Sequence, residues 1–176
     1  PLPFYKDKIT DNIAPRATRI MVYGDEYRGK VSLKKPIKGA TEINGKIIVN
    51  CQLSIVNCLE AWGRISTAIS ANDYMNGTTN NYGVCYVRLY VDDQLVSSSD
   101  VDRFSFDENR LINSWTDYAE QRRSGRWYMR SAIAENNDLR MLHADTDRGW
   151  VTINEERDSH FRYELEDLYG NHSNYR

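Results

Sequence analysis

Residues 64–71 read Arg-Ile-Ser-Thr-Ala-Ile-Ser-Ala, an alternation with a period of two. Side chains on a strand point to opposite faces in turn, so this segment fits a half-buried strand and not a helix. Short segments of similar character recur along the chain, separated by turn chemistry. Residues 16–23 set Ala17, Ile20 and Val22 among polar neighbours. Residues 31–33 form a short apolar piece, and residues 47–49 follow a tight-turn Asn44-Gly45 pair. Residues 84–91 hold Val, Tyr and Leu at β-favourable positions, and Asp92-Asp93 turns them into residues 94–98 as a hairpin. Residues 103–106, 127–133, 139–144, 150–153 and 161–167 read as further strands, and 72–81 as a long polar loop.

One helix interrupts this pattern. Asp107 is placed to cap it, Leu111, Trp115, Tyr118 and Ala119 recur at helical spacing, and Gly125 ends it. The expected architecture is mainly β: an antiparallel β-sandwich, immunoglobulin-like or fibronectin type III-like, with one helical insertion near 107–123. Residues 1–15, broken by Pro1, Pro3 and Pro15, read as a linker arm from an upstream domain, and 16–176 as the sandwich.

Composition narrows the function classes. The chain has 176 residues, with 23 Lys and Arg against 25 Asp and Glu. That balance lacks the basic excess of a dedicated nucleic-acid binder. No run of about 18 apolar residues exists, so no helical membrane span is expected. The mean hydropathy is low, at −0.68. Even so, 12 Tyr, 4 Trp and 4 Phe supply the material of a core. Charge is uneven: residues 1–38 carry nine basic and four acidic side chains, and residues 135–176 carry five and ten. Both ends are expected to be solvated surface, since surface ion pairs contribute little.

Cys51, Cys58 and Cys85 are an odd set, with no Cys-x-x-Cys pair, and are expected to be small buried hydrophobes. Cys51 and Cys58 would face opposite ways on one strand, but could bridge across a hairpin.

Candidate chemistry is sparse. His143-x-x-x-Asp147 has the spacing of half a zinc site, but no His-x-His pair completes it, and a surface strand end with a polar turn is expected. Asn72, Asp73, Asn76, Asn80 and Asn81 offer oxygens, as do Asp145 and Asp147. Neither group follows a twelve-residue calcium loop, so both are assigned to turns. Asp167-Leu168-Tyr169-Gly170-Asn171 reads as a structural turn. No Gly-x-Ser-x-Gly elbow is present. No catalytic, cofactor or metal residue is therefore assigned. The 122–130 run interleaves Arg with aromatics, and Trp115, Arg126, Trp127 and Tyr128 form the candidate contact surface.

A longer pattern carries a resemblance. Asn72-Asp73-x-Met75-Asn76-Gly77, Tyr82-Gly83-Val84, Leu89-Tyr90-Val91-Asp92 and the run from Asp102 to Glu108 occur in that order. Asn113, Asp117, Tyr118 and the Asp167-x-x-Gly170-Asn171-x-Ser173 end follow. Together they resemble the β-rich region after the catalytic domain in lysostaphin-type (LytM-like) zinc metallopeptidases of Gram-negative cell envelopes, over about residues 10–173. Pro1-Leu2 and Asp11-x-x-Ala14-Pro15 look like the exit from such a catalytic domain.

The resemblance implies a periplasmic or envelope-exposed protein whose parent cuts peptidoglycan cross-links. This piece would be a noncatalytic accessory domain that positions its own catalytic domain, or engages peptidoglycan or another envelope protein. The family's zinc, on His-x-x-x-Asp and one His of His-x-His, would belong to the upstream catalytic domain, and no zinc or other cofactor is expected in this fragment. His143 and Asp147 lie too late in the chain to be those ligands, and the three cysteines depart from the family pattern. An alternative function is a free-standing carbohydrate-binding module that stacks Trp115, Trp127 and Trp150 on sugars. A third is an enzyme with a concave site of convergent titratable groups.

Overall fold

Thirteen strands account for most of the regular structure among the described residues of the computed structural model, which are 9–25, 30–32, 40–43, 46–50 and 59–176. The first eight places in chain order are β1 (Arg16–Gly24), β2 (Lys30–Ser32), β3 (Ala40–Ile43), β4 (Lys46–Asn50), β5 (Glu60–Tyr74), β6 (Asn81–Tyr82), β7 (Tyr86–Val91) and β8 (Gln94–Asp100). The rest are β9 (Met129–Arg130), β10 (Leu142–Ala144), β11 (Val151–Ile153), β12 (Phe161–Glu166) and β13 (His172–Tyr175). They form two antiparallel sheets. One runs β11-β5-β1-β4-β3, with β2, β6 and β9 also paired to β5; the other runs β10-β8-β7-β12-β13. The turn at Asn44-Gly45, the cysteines Cys51 and Cys58 and residues 1–8 of the arm lie outside the described residues.

The segment that opens the sequence pattern is the spine of the first sheet. β5 pairs with β1 from Arg16↔Asn72 to Gly24↔Ile65, with a bulge between Ala17 and Arg19. β11 and β9 also pair with β5. In the second sheet, β7 buries Val87, Leu89 and Val91 and leaves the alternate residues half-exposed, as period-two burial requires. β12 does the same with Tyr163 and Leu165. These side chains meet Ile69 and Ala71 of β5 in the main core. Each fully buried Leu or Ile is worth about 1.5–3 kcal/mol. A buried hydroxyl pair, Thr67 Oγ1 to Tyr163 OH at 2.6 Å, links β5 to β12 across the two sheets.

β5 is buried on both faces from Ile65 to Ala71, which is why small residues occupy its second face. That outer face is covered by the segment that follows β8. Met21, Ala68 and Tyr128 make a second buried cluster there, with Tyr23 against it.

The helical insertion is shorter and more broken than the sequence predicts. A single 3-10 turn at Asn109–Leu111 leads into α1 (Ile112–Trp115), and α2 (Tyr118–Ser124) follows. Asp107 does not cap either helix. The capping side chain is Asp117, whose Oδ1 accepts the Glu120 N–H at 3.0 Å. Thr116 breaks the helix because it adopts extended backbone and bridges Met129. Gly125 does end α2, in the left-handed conformation at φ 71°. Residues 103–105 have no regular structure and Phe106 enters a turn, so no strand forms there. β9 is two residues long within the predicted 127–133 segment, and β10 covers only the last part of 139–144.

Candidate functional site

The expected contact surface divides. Trp115 is 5% exposed and belongs to the main core. Tyr128 is fully buried, because it plugs the outer face of β5 over Ala68. Neither is available to a partner, and this corrects the sequence expectation for both. Helical and strand periodicity explain the error: Arg-aromatic interleaving at 126–128 marks a chain entering the protein. Arg126 and Trp127 are exposed, Trp127 by 42%. The three-Trp sugar platform is likewise reduced, because Trp150 is half-buried with the Arg64 guanidinium 4.7 Å from its ring centre.

Other aromatics take the surface position. Phe106 is 98% exposed, and Phe104 and Tyr118 are each half-exposed. With Trp127, these are four of the seven large hydrophobic side chains that stand exposed among the described residues. All four fall within residues 104–127, the insertion and its approach. Their placement on one inserted segment makes that segment the candidate interaction surface.

A buried polar network holds the insertion in place. Asp117 Oδ2 accepts the Tyr23 hydroxyl at 2.9 Å and lies 3.8 Å from the Arg130 guanidinium, which itself sits 4.9 Å over the Tyr23 ring. Burial, then the adjacent Asp117 carboxylate, push the Tyr23 phenol far above its ordinary range, so it remains a donor. Glu120, also buried, accepts two hydrogen bonds from Arg123, at 2.7 and 3.0 Å.

The half zinc motif does not assemble. His143 is exposed on β10, and the carboxylate nearest it is Asp100, at 3.8 Å. Asp147 sits in a turn whose backbone is organised by Asp145 Oδ1, which accepts the Asp147 and Gly149 N–H groups. His160 and His172 are exposed on separate segments. The lysostaphin-type zinc set therefore has no counterpart among these residues. His143 and Asp100 line an open groove of about 420 Å³ with Phe104, Met141 and the Glu108–Arg140 ion pair, closed at 2.6 Å.

A second cluster is the one sequence reasoning missed. Asp11 on the arm, Asp73 near the end of β5 and Asp167 just after β12 each bring a carboxylate oxygen within 4.8 Å of the others. The fold produces this meeting. Arg16 pairs with Asn72, so the start of β1 runs beside the end of β5. The arm is then stitched to β13: Ser173 Oγ donates to the Pro15 carbonyl at 2.6 Å, and the Tyr175 hydroxyl accepts the Ala17 N–H at 3.0 Å.

Asp167 is held rigidly. Its Oδ1 accepts the Tyr169 and Asn171 N–H groups at 2.8 and 2.9 Å, and its Oδ2 accepts the Asn171 side-chain amide at 2.7 Å. That amide also donates to the Asp11 carbonyl at 3.1 Å. Asp11 Oδ1 accepts the Ile13 N–H at 3.1 Å. In contrast, Asp11 Oδ2 and Asp73 Oδ1 are sealed from solvent and accept no hydrogen bond. Burial is the main reason the Asp73 carboxyl is pushed up to about 6, and the Asp167 and Asp11 charges add to it against one backbone hydrogen bond from Tyr74.

Comparison with protein-family models, with curated proteins and with solved structures returns no match to this chain. The fold and site define it as a mainly β domain of two antiparallel sheets with a small helical insertion.

Proposed function

We propose that this chain is a noncatalytic interaction domain, the envelope accessory module that its resemblance to the β region of lysostaphin-type peptidases implies. The observation that carries the proposal is the concentration of exposed aromatics, Phe104, Phe106, Tyr118 and Trp127, on the insertion between β8 and β9. Arg122 and Arg126, both exposed, lie between Tyr118 and Trp127 in the sequence. Asp117, bonded to Tyr23 and close to Arg130, ties the insertion to β1 and β9. The partner proposed is the peptidase domain of the same polypeptide, with peptidoglycan the second site of engagement. The stacking module has less support, because only Trp127 of its three tryptophans is exposed.

The first test is the longer reading frame. A frame extending upstream of Pro1 should encode His-x-x-x-Asp and His-x-His; an upstream domain of another class would overturn the proposal. The second test incubates this chain with purified peptidoglycan and zinc. No soluble fragments should be released above buffer, and robust chelator-sensitive release would contradict a noncatalytic role.

A further inference from the structure

We propose that Asp11, Asp73 and Asp167 form a binding site for a hard divalent cation, calcium by preference, that clamps the arm to both sheets. Three observations carry it. The first is convergence: one oxygen from each carboxylate lies within 4.8 Å of the others, and the three residues come from the arm, β5 and the end of β12. The second is an unmet demand for a partner. Asp73 is 8% exposed, and its Oδ1 accepts no hydrogen bond; Asp11 Oδ2 is in the same state. A carboxylate oxygen left without a partner away from water is costly, and protein structures nearly always pair it or give it to a metal. The third is that, among the described residues, no Lys or Arg forms an ion pair with any of the three, although ion pairs engage other Asp and Glu side chains in the second sheet and the insertion.

The donor set selects the ion. All three ligands are carboxylate oxygens, which favour calcium and magnesium over softer metals. Two oxygens on one ion are separated by at most twice the metal–oxygen distance, about 4.6–5.2 Å for calcium and about 4.0–4.2 Å for magnesium. Oxygens within 4.8 Å of one another lie inside the calcium limit, and the preference for calcium comes from its tolerance of irregular oxygen cages, where magnesium demands a near-ideal octahedron and gives up water reluctantly. The hydrogen bonds to Asp167 and to Asp11 Oδ1 fix two of the carboxylates before an ion arrives, which lowers the ordering cost of binding. The chain supplies three of the six to eight oxygens that calcium takes, and water completes the shell.

The experiment uses the whole chain after treatment with a chelator. Calcium chloride at a hundredfold its Kd should raise the Tm by about 5–10 °C, and magnesium should raise it less. Calorimetric titration should give one site per chain. Asp73→Asn keeps the shape and removes the charge; it should fold, and melt at the same temperature with and without calcium. Asp11→Asn, on the arm and away from the core, should weaken calcium binding roughly tenfold or more. A wild-type Tm unmoved by calcium at about 10 mM, above the range of extracellular calcium modules, would overturn the proposal. So would an Asp73→Asn chain that retains the full calcium shift.

Discussion

Gly149→Ala tests how closely the loop after β10 is fitted against the sheet. Gly149 is buried and has φ +78°, and a Cβ there would lie 2.0 Å from the Ser131 carbonyl oxygen and 2.7 Å from its carbon. Those atoms are backbone and cannot rotate away. Ser131 is fixed in turn, since its N–H donates to the Thr67 carbonyl at 2.8 Å, and its Oγ donates to the Gly149 carbonyl at 3.0 Å and accepts the Thr67 N–H at 3.1 Å. Left-handed backbone with a Cβ costs about 1–2 kcal/mol. Forcing the loop from Ser131 costs about 1–3 kcal/mol more. Loosening two of the hydrogen bonds adds about 1–2 kcal/mol. The expected loss is about 3–7 kcal/mol, a Tm lower by roughly 6 °C or more in a chain of this size. Gly125→Ala is the internal control. Its φ is +71°, but a Cβ there meets nothing within 4 Å, so only the first cost applies. Thermal melts and urea titrations of the two variants measure the difference. Equal losses at Gly125 and Gly149 would show that the close approach to Ser131 contributes nothing.

Other outcomes follow from contacts already described. Tyr163→Phe removes one partner of the buried hydroxyl pair with Thr67 and should cost about 1–2 kcal/mol in urea unfolding; a double-mutant cycle with Thr67→Val should show coupling between the two sites. Trp115→Ala should cost about 3–5 kcal/mol, while Trp127→Ala should stay within about 0.5 kcal/mol, and a reversal in thermal melts would contradict the assignment of core and surface. The His160 N–H, followed by the Arg157 guanidinium, holds the Asp92 carboxyl below its usual range. A depressed carboxyl stabilises the fold above its unfolded pKa, and that stability is lost as pH falls through the folded one. Below about pH 4, wild type should therefore lose stability more steeply than Asp92→Asn, which tolerates the positive φ there; parallel acid titrations by circular dichroism would contradict this.

The β7–β8 hairpin was legible in the sequence, with its strands placed within two residues at their outer ends. Val87, Leu89 and Val91 alternate, and Asp92 and Asp93 both take the positive φ that a tight hairpin turn requires. β12 and the Asp167 turn were legible for the same reasons. β13 was not, because His172–Tyr175 is a polar edge strand with little apolar signal. The alternation of 103–106 misled in the opposite sense: the pattern of a strand is present, but among the described residues no strand pairs with it, and Phe106 points to solvent. The helical insertion was legible, but its cap and its continuity were not: Asp117 caps α2 in place of Asp107, and at Thr116 a bridge to Met129 outweighs local helical spacing. The carboxylate cluster could not be read from local chemistry at all. Asp11, Asp73 and Asp167 each look like ordinary turn residues, and only the pairing of β1 with β5 and the return of β13 to the arm place them together.

The two-sided pairing of β5 also has a kinetic meaning. Ile65 is paired with Gly24 on one edge and with Val151 on the other. Contacts so distant along the chain make folding slow, since loop closure precedes the gain from pairing. A ribosome adds roughly 5–20 residues per second, so several seconds pass between the emergence of Ile65 and that of its second partner. During that interval the far edge of β5 presents open N–H and C=O groups beside a buried-type apolar face. The nascent chain is then at its most vulnerable to edge-to-edge association, and its need for a holding chaperone should end when β11 has left the ribosome.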